Sequence, residues 1–279
     1  MRLLGGPWEL AVNPERGGRV TSLRLGGDEL LDQGIGVDDP HAESFVAAGA
    51  WGWDEMVPTI EPRPYPGPGP LAGRELPDHG EAWRHPWSVL DETAASVEMQ
   101  CTGVQLPWRL QRRIELMDRA VHAAYVYRNC GPDPLYAYWC AHPLFRYERG
   151  MLAEDAGRLA QLPEGASAKL HLPPGSADRV RLAWGSGSAV EIAWDRALTP
   201  YVAIWACNGD LGGYRQIAIE PATGGNDHPD LAAPPPLLGP GEELRWWLEI
   251  RDMREDPDGF PSSPGASRAA LSFRYVDRA

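Results

Sequence analysis

The sequence is poor in lysine and in positive charge. Lys169 is the single lysine among 26 basic residues in 279, and the formal net charge is −13. A field of this sign repels phosphate backbones and anionic lipid surfaces, so we expect neither nucleic acid nor a membrane as a partner. The preference for arginine is typical of base-composition bias, and we draw no functional conclusion from it.

Cysteine is scarce, and long apolar runs are absent. The sequence contains no Cys-x-x-Cys pair, no run of 18 apolar residues and no signal-peptide pattern at its N-terminus. We therefore expect a cytoplasmic protein with reduced thiols, three of them buried in strand-like runs. The four cysteines are Cys101, Cys130, Cys140 and Cys207.

Helical periodicity is also missing, since no segment shows a sustained apolar stripe with a 3.6-residue period. Alternation with a period of two recurs instead, and Gly, Pro and Asp clusters separate the runs. This pattern predicts an all-β fold, a large antiparallel β-sandwich, with residues 1–279 forming one domain. The alternating runs are Val97/Met99/Cys101, Val121/Ala123/Tyr125/Tyr127, Val180/Leu182/Trp184, Val190/Ile192/Trp194 and Leu244/Trp246/Leu248/Ile250.

Two proline-rich stretches interrupt the strand pattern. Residues 61–78 contain six prolines, so we expect a loop there, over one edge of the sheet or over a pocket. Residues 232–241 contain three consecutive prolines and connect a polar turn to the last alternating run.

Two of the seven histidines have an unusual sequence context. His79 follows a Pro-bounded turn and precedes Gly80, which lets the backbone approach a neighbour closely. His142 lies in the almost wholly apolar run Tyr138-Trp139-Cys140-Ala141-His142-Pro143-Leu144-Phe145. Such a histidine is either a satisfied core residue or a proton-transfer group tuned by burial. The others fall in polar loops or on the exposed phase of strands, and we expect them to be solvated: His41, His85, His122, His171 and His228.

Glu220 is a carboxylate at the end of an apolar strand, in Ile217-Ala218-Ile219-Glu220-Pro221. An unpaired carboxylate in such a place is costly, so it needs a partner or a task. The polar turn at residues 223–229 is typical of the rim of a site for a polar ligand.

Tryptophan is frequent, with 12 residues against 4 phenylalanines. Several, including Trp53 and Trp83, lie near these motifs. An indole face can stack on the C–H face of a sugar ring, although any single tryptophan can equally well fill a wide core.

Taken together, these segments resemble the aldose 1-epimerase, or galactose mutarotase-like, family. The similar segments follow the family's order over about residues 10–250. They are residues 13–31, Gly52-Trp53-Asp54-Glu55-Met56-Val57-Pro58-Thr59, Pro77-Asp78-His79-Gly80, Ala141-His142-Pro143-Leu144-Phe145, Ile219-Glu220-Pro221, Asn226-Asp227-His228-Pro229 and residues 238–242.

The resemblance implies a large antiparallel supersandwich and an isomerase that interconverts the α and β anomers of a sugar without a metal or other cofactor. It assigns His142 as general acid on the ring oxygen, Glu220 as general base on the anomeric hydroxyl, and His79 as a binding or assisting group. The expected partner is a small-molecule sugar, bound by a monomer or homodimer. The expected substrate-binding residues are Trp53, Asp54, Asp78, Trp83 and Arg84.

One departure from the family narrows the substrate, and two other functions remain open. Hexose-phosphate members often carry an arginine four residues after the first histidine, where this chain has Trp83, with Arg84 next to it. We therefore expect a sugar without phosphate. The alternatives are a non-haem metal enzyme that uses His79, Glu81 and His142, and a carbohydrate-binding protein of the same fold without catalysis.

Overall fold

The computed structural model describes residues 1–225 and 227–254 in full, and the backbone of residues 273–275. Asn226, part of one motif above, lies outside the described residues. Within the described part, no helix is long and apolar enough to cross a membrane.

Strands are the main regular element of the described chain. In chain order they are β1 (Arg2–Gly5), β2 (Trp8–Asn13), β3 (Arg19–Leu25), β4 (Asp28–Glu29), β5 (Trp53–Met56), β6 (Arg63–Pro64), β7 (Glu75–Leu76), β8 (Ser88–Glu92), β9 (Ser96–Thr102), β10 (Trp108–Leu116), β11 (Ala120–Asn129), β12 (Leu135–Tyr136), β13 (Cys140–Arg146), β14 (Leu152–Ala153), β15 (Ala166–His171), β16 (Arg179–Ala183), β17 (Ala189–Trp194), β18 (Tyr201–Asn208), β19 (Arg215–Ala222), β20 (Leu237–Leu238), β21 (Glu243–Asp252) and β22 (Phe273–Tyr275). The helices are α1 (Phe45–Gly49) and two single 3₁₀ turns, Gly69–Leu71 and Leu159–Gln161.

Two large antiparallel sheets form a sandwich, as the alternating pattern predicts. One sheet runs β1-β2-β3-β5-β13-β19-β18-β15-β22, with β4 paired to β3, and the other runs β14-β16-β17-β21-β11-β10-β9-β8. The five alternating runs form β9, β11, β16, β17 and β21, with one residue just beyond β16. The predicted all-β, antiparallel fold is confirmed.

The two sheets differ in how they are covered. In the eight-stranded sheet, β10 alternates strictly between buried and half-buried residues, because only its inner face packs on the shared apolar core. In the ten-stranded sheet, β13 and β19 are buried on both faces. A second apolar cluster, which includes Phe45, Trp83 and Tyr138, covers the outer face there. Side chains on both faces of these two strands are therefore enclosed.

The proline-rich residues 61–78 form a loop, as expected. They contain only the two-residue pairing of β6 with β7 and one 3₁₀ turn. Tyr65, Leu71 and Leu76 of this loop are buried in the main core, so the loop packs against the sandwich.

A buried ionic network joins the two sheets through Glu55. Its Oε1 accepts hydrogen bonds from Arg112 Nη1 at 2.8 Å and from the Tyr125 hydroxyl at 3.0 Å. Its Oε2 accepts one from Trp139 Nε1 at 2.7 Å. Both carboxylate oxygens thus have partners in a place where an unpaired charge would be very costly.

Candidate active site

His142 and Glu220 lie directly opposite each other on neighbouring strands. The pairing of β13 with β19 sets Cys140 against Ala222 and Leu144 against Ala218, which places His142 across from Glu220. Facing residues share one side of a sheet. The two side chains therefore meet on the outer face of the ten-stranded sheet, with His142 Nε2 3.7 Å from Glu220 Oε1.

His79 approaches this pair from a tight turn. Its backbone is left-handed, with φ of 56°, and its N–H donates to the Ile60 carbonyl at 2.6 Å. The next residue must be glycine, since a Cβ at Gly80 would lie 2.2 Å from the Val57 carbonyl oxygen. The imidazole of His79 stands 5.6 Å from that of His142, measured between ring centroids. All three residues predicted to be catalytic thus come together.

Asp78 fixes the orientation of His79. Its Oδ1 lies 2.9 Å from His79 Nδ1, and its Oδ2 accepts a hydrogen bond from the Phe45 backbone N–H at 2.7 Å. Burial alone would raise the pKa of Asp78, but the hydrogen bond and charge of His79, the Phe45 N–H and the nearby Arg84 together hold this pKa below its usual value. Because an ionised carboxylate only accepts, Nδ1 of His79 carries the proton and Nε2 is the acceptor nitrogen of the ring.

Phe45 holds the two imidazoles in place. Its ring stacks on His79 at 4.6 Å and meets the edge of His142 at 5.4 Å. Phe45 begins the short helix α1, whose first turn is capped by Ser44 Oγ accepting from the Ala47 N–H. The sequence gives no signal for this role, because helix α1 is only five residues long.

Lys169 pairs with Glu220 from the other side. Its Nζ lies 2.6 Å from Glu220 Oε2 and 2.7 Å from Asp227 Oδ1. His171 Nε2 stands 3.6 Å from the same Asp227 oxygen. None of these three residues was predicted to be a site residue. His171, which was expected to be solvated, is partly exposed and lines the cleft.

A signal for Lys169 was nevertheless present in β15. Ala168 and Leu170 alternate there with Ser167, Lys169 and His171. The apolar pair packs into the main core, so the polar residues of the same strand must face the outer side. This side carries the His142–Glu220 pair.

The surroundings shift the pKa values of Glu220 and His142 in opposite directions. Burial raises the pKa of Glu220, and Lys169 opposes this rise. Burial lowers the pKa of His142 well below its usual value, and the nearby His79 and Lys169 add to the effect. Histidine normally binds a proton more tightly than glutamate does. These shifts bring the two proton affinities closer together.

A cleft of about 170 Å³ opens beside Glu220. Small residues at the strand ends, including Ala203, Ala222 and Gly224, leave the space open. Its lining is mixed, as suits a small polar ligand with an apolar face. Apolar and aromatic walls come from Ile60, Tyr138, Leu172 and Tyr201, and polar groups from Glu220, Asp227 and His171.

Two of the predicted substrate contacts are wrong because the side chains are enclosed. Trp53 and Trp83 are both 0% exposed. Trp53 faces the main core, with the Arg112 guanidinium 5.8 Å from its ring. Trp83 packs behind Phe45, with Arg84 stacked on it at 4.3 Å. No indole face is left there for a sugar.

Asp54 is also wrongly predicted as a substrate contact. It pairs with His142 in the register of β5 and β13, but its carboxylate turns toward Arg19. Arg19 donates from Nε at 3.0 Å, and its Nη2 lies 2.8 Å from the same carboxylate, with both side chains fully enclosed. Asp54 therefore stabilises the sheet.

Arg84 is half-buried near Asp78, and its position permits a ligand contact. Its Nε and Nη2 have no hydrogen-bond partner among the described residues. Burial lowers the pKa of Arg84, and the nearby Asp78 opposes this. The substrate-binding role predicted for Arg84 stays a prediction.

The metal triad of His79, Glu81 and His142 does not form. Glu81 Oε2 accepts hydrogen bonds from the backbone N–H groups of Val104 and Gln105, at 2.7 and 2.9 Å. In the part of the chain that the structure describes, no three His, Cys, Asp or Glu side chains are grouped so that they could hold a metal ion. The predicted metal triad is wrong because the Glu81 carboxylate is bound to the backbone of the loop at residues 104–105.

No family model matches the sequence, and no curated protein matches it. Solved structures do resemble it. The Slr1438 protein from Synechocystis sp. PCC 6803 has a TM-score of 0.73 at 16% identity, covering 90% of this chain and 94% of that one. A galactose mutarotase-like protein from Lactobacillus casei has a TM-score of 0.65 at 14% identity, covering 90% and 99%. An aldose epimerase homologue from C. elegans has a TM-score of 0.65 at 12% identity, covering 90% and 98%.

These likenesses define the fold as that of galactose mutarotase-like proteins, as the sequence motifs implied. At such low identity, a shared fold does not establish an activity. The activity is therefore argued from the site itself.

Proposed function

We propose that the protein is an aldose 1-epimerase, which interconverts the α and β anomers of a free sugar. The observation that carries this proposal is the 3.7 Å separation between His142 Nε2 and Glu220 Oε1, together with the open cleft that Glu220 lines. Ring opening needs one proton removed from the anomeric hydroxyl and one delivered to the ring oxygen. Both oxygens are bonded to the same carbon, so an acid and a base must lie a few ångströms apart.

The reaction is balanced in protons and uses no oxidant. Glu220 takes the proton of the anomeric hydroxyl while the bond from the anomeric carbon to the ring oxygen breaks and the aldehyde forms. His142 gives a proton to the departing ring oxygen. Rotation about the bond between C1 and C2 presents the other face of the aldehyde. Reclosure then returns each proton to the group that supplied it.

The opposite pKa shifts of His142 and Glu220 suit a reaction that must run both ways. Protonated His142 is a stronger acid, and ionised Glu220 a stronger base, than the same groups in water. The two shifts therefore lower the cost of moving a proton from His142 to Glu220 through the sugar. The active form is the pair that carries a single proton, which predicts a bell-shaped dependence of kcat/KM on pH.

His79 has a supporting role in this mechanism. Asp78 and Phe45 hold its ring, which stands 5.6 Å from that of His142. From there Nε2 can accept a hydrogen bond from a sugar hydroxyl next to the reacting carbon. It orients the substrate, while His142 and Glu220 exchange protons with it.

Anomer exchange of free sugars tests the proposal. Magnetisation-transfer NMR on D-glucose, D-galactose, D-xylose and L-arabinose gives the exchange rate with and without protein, with Glu220→Gln at the same concentration as the matched control. We expect the wild type to accelerate at least one of these exchanges and the variant to lose the acceleration. No acceleration of any of the four sugars would overturn the proposal. Calorimetric sugar binding without exchange would instead support a carbohydrate-binding protein.

A further inference from the structure

We infer that Lys169 is a positioning residue for this reaction, whose ammonium group sets the pH range in which the His142–Glu220 pair carries a single proton. The inference rests on the proposed function, because it concerns the same pair. It goes further by assigning a task to the single lysine of the chain.

The contacts of Lys169 explain how it orients Glu220. Nζ binds Oε2 of Glu220 at 2.6 Å, which leaves Oε1 as the oxygen that faces His142 at 3.7 Å. Lys169 is itself held by Asp227 Oδ1 at 2.7 Å. Because the ammonium is anchored at two points, the free oxygen of Glu220 is aimed in one direction.

Charge compensation is the second contribution of Lys169. The Glu220 side chain is only 1% exposed, so water contributes little to stabilising its ionised form. Burial of this kind favours the protonated acid, which could not remove a proton from a sugar. An adjacent cation is therefore required if Glu220 is to act as a base near neutral pH.

Asp227 works against Lys169 in this balance. It shares the same ammonium group, and its negative charge raises the pKa of Glu220. Removing the Asp227 charge should leave Lys169 to act on Glu220 alone.

The titratable groups that face Glu220 are His142 and Cys140 on β13, Lys169 and His171 on β15, Asp227 in the turn after β19, Tyr138 ahead of β13 and, behind His142, His79.

Two substitutions should shift the pH profile in opposite directions. An opposite charge within about 4–6 Å lowers a carboxyl pKa by about 1–3 units. In Lys169→Met both limbs of the kcat/KM profile should therefore move to higher pH by roughly that amount. In Asp227→Asn both limbs should move to lower pH. The control Arg2→Met removes one exposed cation far from the site and should leave both limbs in place.

A readout that does not depend on turnover separates this inference from the proposed function. The ¹³C carboxyl signal of Glu220 is assigned by its loss in Glu220→Gln and then titrated in the wild type, Lys169→Met and Asp227→Asn. We expect the midpoint to rise in Lys169→Met and to fall in Asp227→Asn. Unchanged midpoints overturn the inference, whether or not anomer exchange is found.

Failure of anomer exchange in the wild type would overturn the proposed function and, with it, the catalytic meaning of Lys169. A purely structural role for Lys169 would lower kcat/KM equally at every pH without moving either limb, and that result also counts against the inference. If Lys169→Met does not fold, Asp227→Asn and the charge-preserving Lys169→Arg still test the inference. In Lys169→Arg both limbs of the kcat/KM profile should stay at the wild-type pH.

Discussion

Two buried carboxylates, Glu55 and Glu220, lie in different regions of the molecule and differ in how they are satisfied. Glu55 sits between the sheets, and three donors occupy its two oxygens. Glu220 lies on the outer face of the ten-stranded sheet and is paired with Lys169. Its Oε1 has no hydrogen-bond partner within the described part of the chain and faces His142 beside a cleft.

This difference distinguishes a carboxylate that stabilises the fold from one that can act on a ligand. A carboxylate whose oxygens are all bound has no capacity left for a ligand, and it stabilises the fold only while its partners remain. A carboxylate with one free oxygen next to an imidazole is costly to keep, and such costs are typical of functional sites. The comparison therefore predicts opposite consequences when each residue is altered.

The largest expected effect is the loss of activity in Glu220→Gln. An amide cannot take the proton of the anomeric hydroxyl, so kcat/KM for anomer exchange should fall by about 10²–10⁴-fold. The melting temperature should change little, because Lys169 keeps its second anionic partner, Asp227, at 2.7 Å. The comparison fails if Glu220→Gln unfolds at much lower temperature and retains its activity.

Glu55→Gln should have the reverse effect. Removing one partner from a buried ion pair leaves Arg112 uncompensated, which costs about 3–5 kcal/mol of unfolding free energy. Denaturant unfolding measures this loss. Anomer exchange below the unfolding transition should stay near the wild-type rate, since Glu55 does not face the cleft. A stable Glu55→Gln protein with impaired exchange would mean that the two regions are not separate.

The smallest effect is expected from filling the cleft. Ala203 lies between Glu220 and His171 in the strand register, and it lines the open space. A larger side chain in Ala203→Leu should weaken sugar binding by about 1–3 kcal/mol, as overpacking does elsewhere. The effect should appear in KM more than in kcat. The conservative Ala203→Gly should bind the sugar normally, and an unchanged KM in Ala203→Leu would place the sugar elsewhere.

Much of the fold could be predicted from the sequence, because strands with one covered face alternate visibly. The predicted runs of β9, β11 and β21 show this pattern. His142 and Glu220 were found for a related reason, since each is a polar group in an apolar strand. Their meeting in space depends on the register of β13 with β19, which no local pattern reveals.

The errors at Trp53 and Asp54 arose in β5, where both faces of the strand are covered. All four residues of β5 are buried, so the sequence could not show that Trp53 faces the core while Asp54 turns to Arg19. Strands buried on both faces lose the alternation that assigns a side. Lys169 and Asp227 were missed because their partnership joins segments 58 residues apart.

The central claim is that His142 and Glu220 act as one proton-exchanging unit, and a double-mutant comparison of anomer exchange tests it most directly. The variants are His142→Asn, Glu220→Gln and the two combined, measured with the most reactive sugar. Because either substitution breaks the proton exchange, each should cost about 10²–10⁴-fold and the double variant little more than the worse single one. Losses that multiply in the double variant, or a single variant with full activity, would contradict the claim.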